Sequence, residues 1–79
     1  MYLEIITPDK KIFSGKVSLV QVPGTKGSFA ILKNHAPIIS TLEEGKVKVV
    51  TDEGTKMFSI DGGIIEVKNN NIILLAEKA

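Results

Sequence analysis

The sequence contains no cysteine, no tryptophan and no arginine. Without cysteine, neither a disulfide nor a thiolate metal site can form. Arginine is the residue that grips phosphate, guanine or a buried carboxylate through two parallel hydrogen bonds, so its absence argues against a nucleotide site and a DNA-reading surface. All ten basic residues are lysines, they are scattered against nine acidic residues, and this pattern is typical of a solvated surface.

Long hydrophobic segments are also lacking. The longest uninterrupted apolar runs extend over only a few residues, as at 72–76, and such runs are too short to span a bilayer. The chain goes from Met1 directly into a strand-like pattern, with no basic and then apolar leader. We therefore expect a protein that is soluble, or peripheral to one that is not.

What the sequence does contain is a succession of short β-branched segments, which recur about every ten residues between turn residues. The expected strands are residues 3–7, 11–14, 16–22, 28–32, 38–42, 46–51, 55–60, 64–67 and 72–76. No apolar stripe of helical period extends beyond one turn. With 79 residues, 43% of them hydrophobic, the chain is predicted to form one all-β domain of two packed antiparallel sheets.

Several turns are expected from local composition. Gly15 is a candidate bend or bulge, and Pro23-Gly24 should close the third strand. Asp52–Gly54 should form a hairpin loop with a positive φ at Gly54. Asp61-Gly62-Gly63 should interrupt the chain, and the asparagines at 69–71 are a strong turn signal because asparagine tolerates left-handed backbone.

The last strand, 72–76, is apolar on both faces, whereas a half-solvated strand should alternate. Two interpretations are open. The strand is buried on both sides at the centre of the sandwich, or its outer face meets a partner. Continuous apolar runs suit sandwich cores, so burial is the favoured prediction.

Residues that could support catalysis or metal binding are few. The one histidine, His35, has no adjacent nucleophile or orienting carboxylate, and no second histidine exists to share a metal. The carboxylate pairs Glu43-Glu44 and Asp52-Glu53 lie in predicted turns, where adjacent side chains diverge. The glycine-containing loops precede strands rather than helices, which argues against phosphate binding. We expect no catalytic residue, no cofactor and no metal.

The order of these motifs resembles the N-terminal domain of the ε subunit of F-type ATP synthases over essentially the whole chain. The residues that carry the resemblance are FSG at 13–15, VPGTKGSF at 22–29, LKNHAP at 32–37, LEEGKV at 42–47, IDGG at 60–63 and LLAE at 74–77. The resemblance implies a flattened β-sandwich of about ten strands and a non-catalytic rotor subunit. That subunit binds γ and the membrane-embedded c-ring and couples proton-driven rotation to ATP synthesis.

Carried over residue by residue, the resemblance implies a γ-subunit contact at Thr7, His35, Ile39 and Ser40. It places the c-ring contact on the segment Lys26, Gly27, Ser28, Phe29 and Ala30. Members of the family carry an acidic residue where this chain has Ser28, which leaves Lys26 and backbone groups as candidates.

Members of the family usually continue into two C-terminal helices that inhibit ATP hydrolysis and in some cases bind ATP. This chain stops at Ala79, so a single sandwich domain over 1–79 is expected, without an inhibitory hairpin or a nucleotide. The resemblance also implies a peripheral position on the cytoplasmic face of a bacterial membrane, with no insertion into the bilayer and no nucleic acid partner.

The alternative from another class is a biotinyl or lipoyl carrier domain, a flattened sandwich of similar size with a modified lysine at a hairpin tip. Lys56-Met57 supplies half of the Met-Lys-Met context of such a lysine. Thr55 replaces the first methionine, however, and the Asp52–Gly54 turn already occupies the tip.

Overall fold

The computed structural model describes residues 1–77, and in that range the chain forms strands and no helix. The strands are β1 (Tyr2–Ile6), β2 (Lys11–Lys16), β3 (Leu19–Gly24), β4 (Gly27–Leu32), β5 (Ile38–Leu42), β6 (Gly45–Thr51), β7 (Gly54–Ile60), β8 (Gly63–Lys68) and β9 (Asn71–Ala76). The prediction of an all-β domain is confirmed. The described residues form nine strands where about ten were expected.

The strands pair into two layers that face each other. The first layer has the order β2-β1-β9-β8-β5, and the second has the order β7-β6-β3-β4. A single residue pair, Gly24 with Leu42, joins β3 to β5 and makes the two layers one continuous sheet. The molecule is flattened, with principal extents of 26 × 25 × 18 Å.

One pairing differs from the antiparallel arrangement expected from the sequence. β1 and β9 are parallel, with Leu3 opposite Ile72 and Ile5 opposite Leu74. The remaining pairs are antiparallel. Local composition predicts hairpins between neighbours in sequence, but it carries no information on how the first and last strands meet.

The core is formed by alternate residues of the strands, as the two-residue period of a pleated strand requires. Most of the inward side chains are β-branched and lose almost all contact with water. The buried residues are Leu3, Ile5, Val17, Val20, Val22, Ile31, Leu42, Val47, Val49, Ile60, Ile65, Val67, Ile72, Leu74 and Ala76. At the rim, the rings of Phe13 and Phe58 meet edge to face, with centroids 5.7 Å apart.

The turns confirm part of the local predictions and correct the rest. Gly54 has a φ of 121°, and Asn69 and Asn70 adopt left-handed backbone as expected. The expected turn at Pro23-Gly24 is wrong, because both residues belong to β3 and the hairpin turns at 25–26. Proline lacks only the backbone N–H, and the Pro23 carbonyl still accepts a hydrogen bond from the Glu43 N–H (2.8 Å).

The expected bend or bulge at Gly15 is also absent. Gly15 pairs with Leu3 inside β2, and the register shift in this part of the sheet lies between Ile5 and Ile6. A glycine inside a strand is compatible with regular pairing, so composition alone did not place the irregularity.

Two strand glycines allow a matched test of packing at the β3–β4 hairpin. A Cβ added at Gly24 would lie 2.7 Å from the Gly27 carbonyl oxygen and 2.8 Å from the Phe29 ring, whereas one at Gly15 would have its nearest neighbour at 3.6 Å. Gly24→Ala is expected to lower the free energy of unfolding by about 1–3 kcal/mol through overpacking. Gly15→Ala should change it by less than about 1 kcal/mol, in the stabilising direction. Urea denaturation measures both, and equal effects would contradict this account of the hairpin.

Candidate functional site

The outward surface of the first layer is the most apolar exposed surface of the described chain. Cross-strand pairs place Ile6, Leu75 and Ile64 side by side, and the next row contains Ile73, Glu66 and Ile39. We call this surface the outer apolar face, which consists of Ile6, Ile39, Ile64, Ile73 and Leu75. Ile39 is 72% exposed, Leu75 50% and Ile64 45%.

The outer apolar face decides between the two interpretations of the last strand. β9 lies at the centre of its layer, between β1 and β8, yet only Ile72, Leu74 and Ala76 are buried. Ile73 and Leu75 point away from the core and remain exposed. The prediction of burial on both faces is therefore wrong, because no third layer of the described chain covers this side.

The outward surface of the second layer is more polar. Gln21, Lys48 and Met57 lie in register across β3, β6 and β7, and Lys46 lies opposite Ser59 in the next row. Leu32 and Met57 are the exposed large apolar residues on this side. Contiguous exposed apolar surface marks a protein–protein contact more than scattered residues do, so the first layer is the better candidate for binding.

Charged groups border the outer apolar face or interrupt it. The Lys11 ammonium lies 2.7 Å from the Glu4 carboxylate, and the hydrogen bond and the charge of Glu4 both raise the pKa of Lys11. Lys11 therefore stays protonated well above neutral pH. Glu66 lies between Ile39 and Ile73 and forms no ion pair with the described residues. Its carboxylate is thus available to a cationic group of a partner.

Two of the four expected γ-contact residues are neighbours on β5 and point in opposite directions. Ile39 projects from the outer apolar face. Ser40 is half-buried on the other side of the strand, where its hydroxyl donates a hydrogen bond to the Thr41 carbonyl (3.2 Å). Of this pair, Ile39 is therefore the residue whose side chain is exposed to solvent.

His35 lies in the loop between β4 and β5, where it is half-buried. Its N–H donates a hydrogen bond to the Leu32 carbonyl (3.1 Å), and its ring Nδ1 lies 2.8 Å from the Ala36 carbonyl oxygen. Because a carbonyl can only accept, Nδ1 is the protonated nitrogen, and in the neutral ring Nε2 is left as an acceptor. The loop thus presents a histidine whose outward nitrogen can receive a hydrogen bond from a partner.

Thr7 lies far from His35. The Thr7 hydroxyl donates to the Lys10 carbonyl (3.0 Å) and accepts from the Lys10 N–H (3.2 Å), so it holds the turn between β1 and β2. The start of β1 lies beside the histidine loop, because Asn70 contacts both Tyr2 and Asn34. Thr7 follows the opposite end of β1, and the five residues of this strand span about 16 Å. A partner that touches both residues must extend across the first layer.

The expected c-ring segment forms the end of the β3–β4 hairpin. Most of it is strand rather than the loop that the sequence indicated. Lys26 lies in the turn, while Gly27, Ser28, Phe29 and Ala30 belong to β4. Phe29 is half-buried and packs on the core. The other four residues are exposed, so a partner at this end would meet one ammonium group, a hydroxyl and backbone atoms.

A groove of about 610 Å³ lies where the two expected contact regions meet. Its walls are the hairpin end, residues 24–29, and strand residues 38–41. The Thr25 N–H donates a hydrogen bond to the Thr41 carbonyl (3.1 Å), and the two threonine hydroxyls lie 2.9 Å apart. The hairpin end and β5 are therefore held together directly.

No three potential ligand residues of residues 1–77 converge on a point that could hold a metal. In the same range, no helix of the length and hydrophobicity needed to cross a membrane exists. The arrangement offers surfaces and shallow grooves, and within the described residues no buried side-chain nitrogen or oxygen lacks a hydrogen-bond partner.

A family model described as the β-sandwich domain of the ATP synthase delta/epsilon chain matches residues 1–79. The chain belongs to this family. The ε-chain resemblance seen in the sequence is thereby confirmed, as is the sandwich class of the fold. The carrier-domain alternative is not favoured, since Lys56 lies within β7 beside Phe13, with 5.5 Å between its Nζ and the ring centroid.

Curated relatives share the sequence over nearly its full length. The ATP synthase epsilon chain of Caulobacter vibrioides is 43% identical over 79 residues, which are 100% of this chain and 92% of the relative. That of Chlorobium limicola is 46% identical over 76 residues, 95% of this chain and 86% of the relative. For Leptospira interrogans serovar Lai the identity is 39%, and the match covers 95% of this chain but 59% of the longer relative.

Solved structures share the fold at low identity. A chain of the mitochondrial ATP synthase of Euglena gracilis, determined with OSCP, F1 and the c-ring, superposes with a TM-score of 0.86 at 19% identity, covering 94% of this chain and 48% of that one. A chain of the central stalk and c-ring of the Tetrahymena thermophila enzyme gives 0.83 at 18% identity, covering 99% and 63%.

Sequence reasoning missed two members of the outer apolar face, Ile6 and Ile64, and the carboxylate of Glu66 that interrupts it. The signal that could have found them was the apolar run in the last strand, because its exposed half has to be continued by the strands on either side. The side-by-side arrangement depends on the β1–β9 and β8–β9 registers, which the sequence pattern did not specify.

Two consecutive leucines of β9 test whether the outer apolar face serves the fold. Leu74 is fully buried and Leu75 is 50% exposed. Leu74→Ala is expected to lower the free energy of unfolding by about 2–5 kcal/mol, because it leaves a cavity. Leu75→Ala should change it by no more than about 0.5 kcal/mol. Urea denaturation of the isolated chain measures both free energies of unfolding. A large loss of stability for Leu75→Ala would contradict the view that the outer apolar face does not stabilise the fold.

Proposed function

We propose that this chain is a non-catalytic ε subunit of an F-type ATP synthase, which joins the γ subunit to the c-ring within the rotor. The observation that carries the proposal is an exposed apolar face on a domain of the delta/epsilon family. We place the protein at the cytoplasmic face of the membrane, held there by its partners.

In this proposal γ binds the first layer. Ile39 and the neighbouring members of the outer apolar face form the desolvated centre of the contact. His35 and Thr7 lie at opposite borders of the contact, and Ser40 lies on the inward side of β5. Apolar centres with polar rims are the usual anatomy of protein interfaces. A standard interface buries about 800 Å² on each partner, so the total accessible surface of 4898 Å² can accommodate both partners.

The c-ring binds the hairpin end in the same proposal, through Lys26, Gly27, Ser28, Ala30 and the backbone around Phe29. Lysine is a compact donor that can meet carboxylates or backbone carbonyls of the polar loops of the ring. The hydrogen bond from Thr25 to Thr41 holds the hairpin end next to β5, which supports a c-ring contact adjacent to the γ contact. Load can therefore pass between the two partners through one short path of backbone.

The junction between γ and the c-ring has to bear the free energy stored during rotation without slipping. A proton that crosses about 150 mV releases roughly 3.5 kcal/mol, and several protons are accumulated for each ATP. A rigid all-β domain is suited to this task because its interior is close-packed and does not deform continuously. The domain itself transfers no group and needs no cofactor for this role.

The γ contact can be tested by substitution at Ile39 and His35. Ile39→Asp places a charge in the desolvated centre, and His35→Ala removes the accepting ring nitrogen. Each variant is expected to weaken binding to the γ subunit of the same organism by at least about tenfold, since loss of an interface hot spot costs 2 kcal/mol or more. Isothermal titration calorimetry measures the affinity, and circular dichroism verifies the fold.

Met57→Asp is the matched control for Ile39→Asp, because it adds the same charge to an exposed apolar position (53%) on the second layer. It should bind γ with the affinity of the parent. Parental affinity of the double variant Ile39→Asp/His35→Ala would overturn the assignment of γ to the first layer.

The c-ring contact can be tested by charge reversal at Lys26. Lys26→Glu removes the only charged group of the hairpin end and is expected to reduce retention on detergent-solubilised c-ring in the presence of γ. Lys46→Glu, an exposed lysine on β6, should be retained like the parent. Because exposed ionic contacts are screened by salt, the difference should shrink as salt is raised. Equal retention of both variants at low salt would contradict the assignment.

A further inference from the structure

The loop that carries His35 is tied to the turn between β8 and β9 by two asparagine side chains. The Asn34 backbone N–H donates a hydrogen bond to the Asn70 Oδ1 (2.8 Å), and the Asn70 Nδ2 donates one to the Asn34 Oδ1 (3.2 Å). We call this reciprocal pair of hydrogen bonds the asparagine clasp. It joins the end of β4 in the second layer to the first layer.

Both asparagines adopt backbone conformations that most residues avoid. The φ angles are 66° at Asn34 and 62° at Asn70. Asparagine is one of the few residues other than glycine that enters this region readily. The chain therefore has asparagine at both positions where a left-handed turn and a side-chain amide are required together.

The histidine loop has little else to define its shape. Within 33–37, the only backbone hydrogen bond outside the strand ladders is from His35 to Leu32, and the buried core includes no residue of this loop. Asn70 is anchored from the other side, because its carbonyl accepts a hydrogen bond from the Tyr2 N–H (2.9 Å). The clasp thus connects a weakly held loop to a fixed point of the central strands.

We propose that Asn70 is a positioning residue for partner binding, which holds the His35 loop in the conformation that meets γ. This inference rests on the proposed γ contact at His35. Asn70 need not touch γ itself. When the clasp is broken, the loop samples other conformations. The apparent affinity for γ then falls in proportion to the fraction of molecules whose loop is in the binding conformation.

The chain offers a matched control at the neighbouring position. Asn69 is also left-handed, with a φ of 52°, but its side chain makes no hydrogen bond within the described residues, and only its backbone carbonyl is used, by Asn71. Asn70→Gly and Asn69→Gly therefore keep the turn, since glycine adopts positive φ without strain. Of the two variants, only Asn70→Gly removes the clasp.

Asn70→Gly is expected to weaken γ binding by about five- to tenfold, mainly through a slower association rate, because fewer molecules are competent when they meet γ. Asn69→Gly should stay within about twofold of the parent. Asn70→Asp should restore most of the affinity, since its carboxylate accepts from the Asn34 N–H and from the Asn34 amide after that amide flips. Biolayer interferometry gives the rates.

A readout without γ separates positioning from general stability. In the free chain, Asn70→Gly should speed hydrogen exchange of the Asn34 amide and shift the His35 ring resonances, and Asn69→Gly should do neither. Asn34→Gly keeps the backbone donor but loses one bond of the clasp, so its effect should be smaller. The double variant Asn34→Gly/Asn70→Gly should bind no more weakly than Asn70→Gly, since both bonds are already lost.

His35→Ala, measured in parallel, distinguishes the two proposals. If His35→Ala binds γ with parental affinity, the γ contact at His35 is wrong, and the role of Asn70 falls with it. If His35→Ala binds weakly while Asn70→Gly binds like the parent, the γ contact stands and the positioning role is overturned. Equal losses for Asn70→Gly and Asn69→Gly would also overturn it.

Discussion

The alternation of side chains along each strand is the constraint on which both the stability and the surface of this domain depend. A pleated strand can bury only every second residue against the opposite layer, and the described residues 1–77 form two layers and no third. One surface of each sheet must therefore face outward. In the second layer that surface is largely polar, whereas in the first it carries Ile39, Ile64, Ile73 and Leu75.

An apolar outward surface is costly for a free protein because it favours aggregation, which supports our proposal that a partner covers this surface. The borders of this surface are made by turns rather than by strands. Thr7 holds the turn after β1 and His35 occupies the loop before β5. The centre of the proposed contact is thus supported by the core, and its borders depend on local hydrogen bonds such as the asparagine clasp.

The way in which the two layers are joined brings the two proposed contact sites close together. The only residue pair of the strand ladders that links them is Gly24 with Leu42 in the described chain, and the hairpin end that is proposed to meet the c-ring begins at this link. Gly24 has to be a glycine because Phe29 and the Gly27 carbonyl crowd the space where a side chain would lie. A contact on the hairpin and a contact on β5 are therefore mechanically close, although they face different subunits in our proposal.

The sequence by itself determined the all-β class, the positions of most strands, the left-handed asparagines of the β8–β9 turn and the family, because these depend on local periodicity, turn chemistry and motif order. Only the tertiary structure decided that β1 and β9 run parallel, that Pro23-Gly24 continues a strand, and that Ile73 and Leu75 remain exposed. It also placed the side chains of Ile39 and Ser40 on opposite faces of β5. Asn70 was brought into contact with Asn34, thirty-six residues away in the sequence. The reason is physical: pairing between distant strands sets which face of each strand is covered, and local composition carries no record of that register.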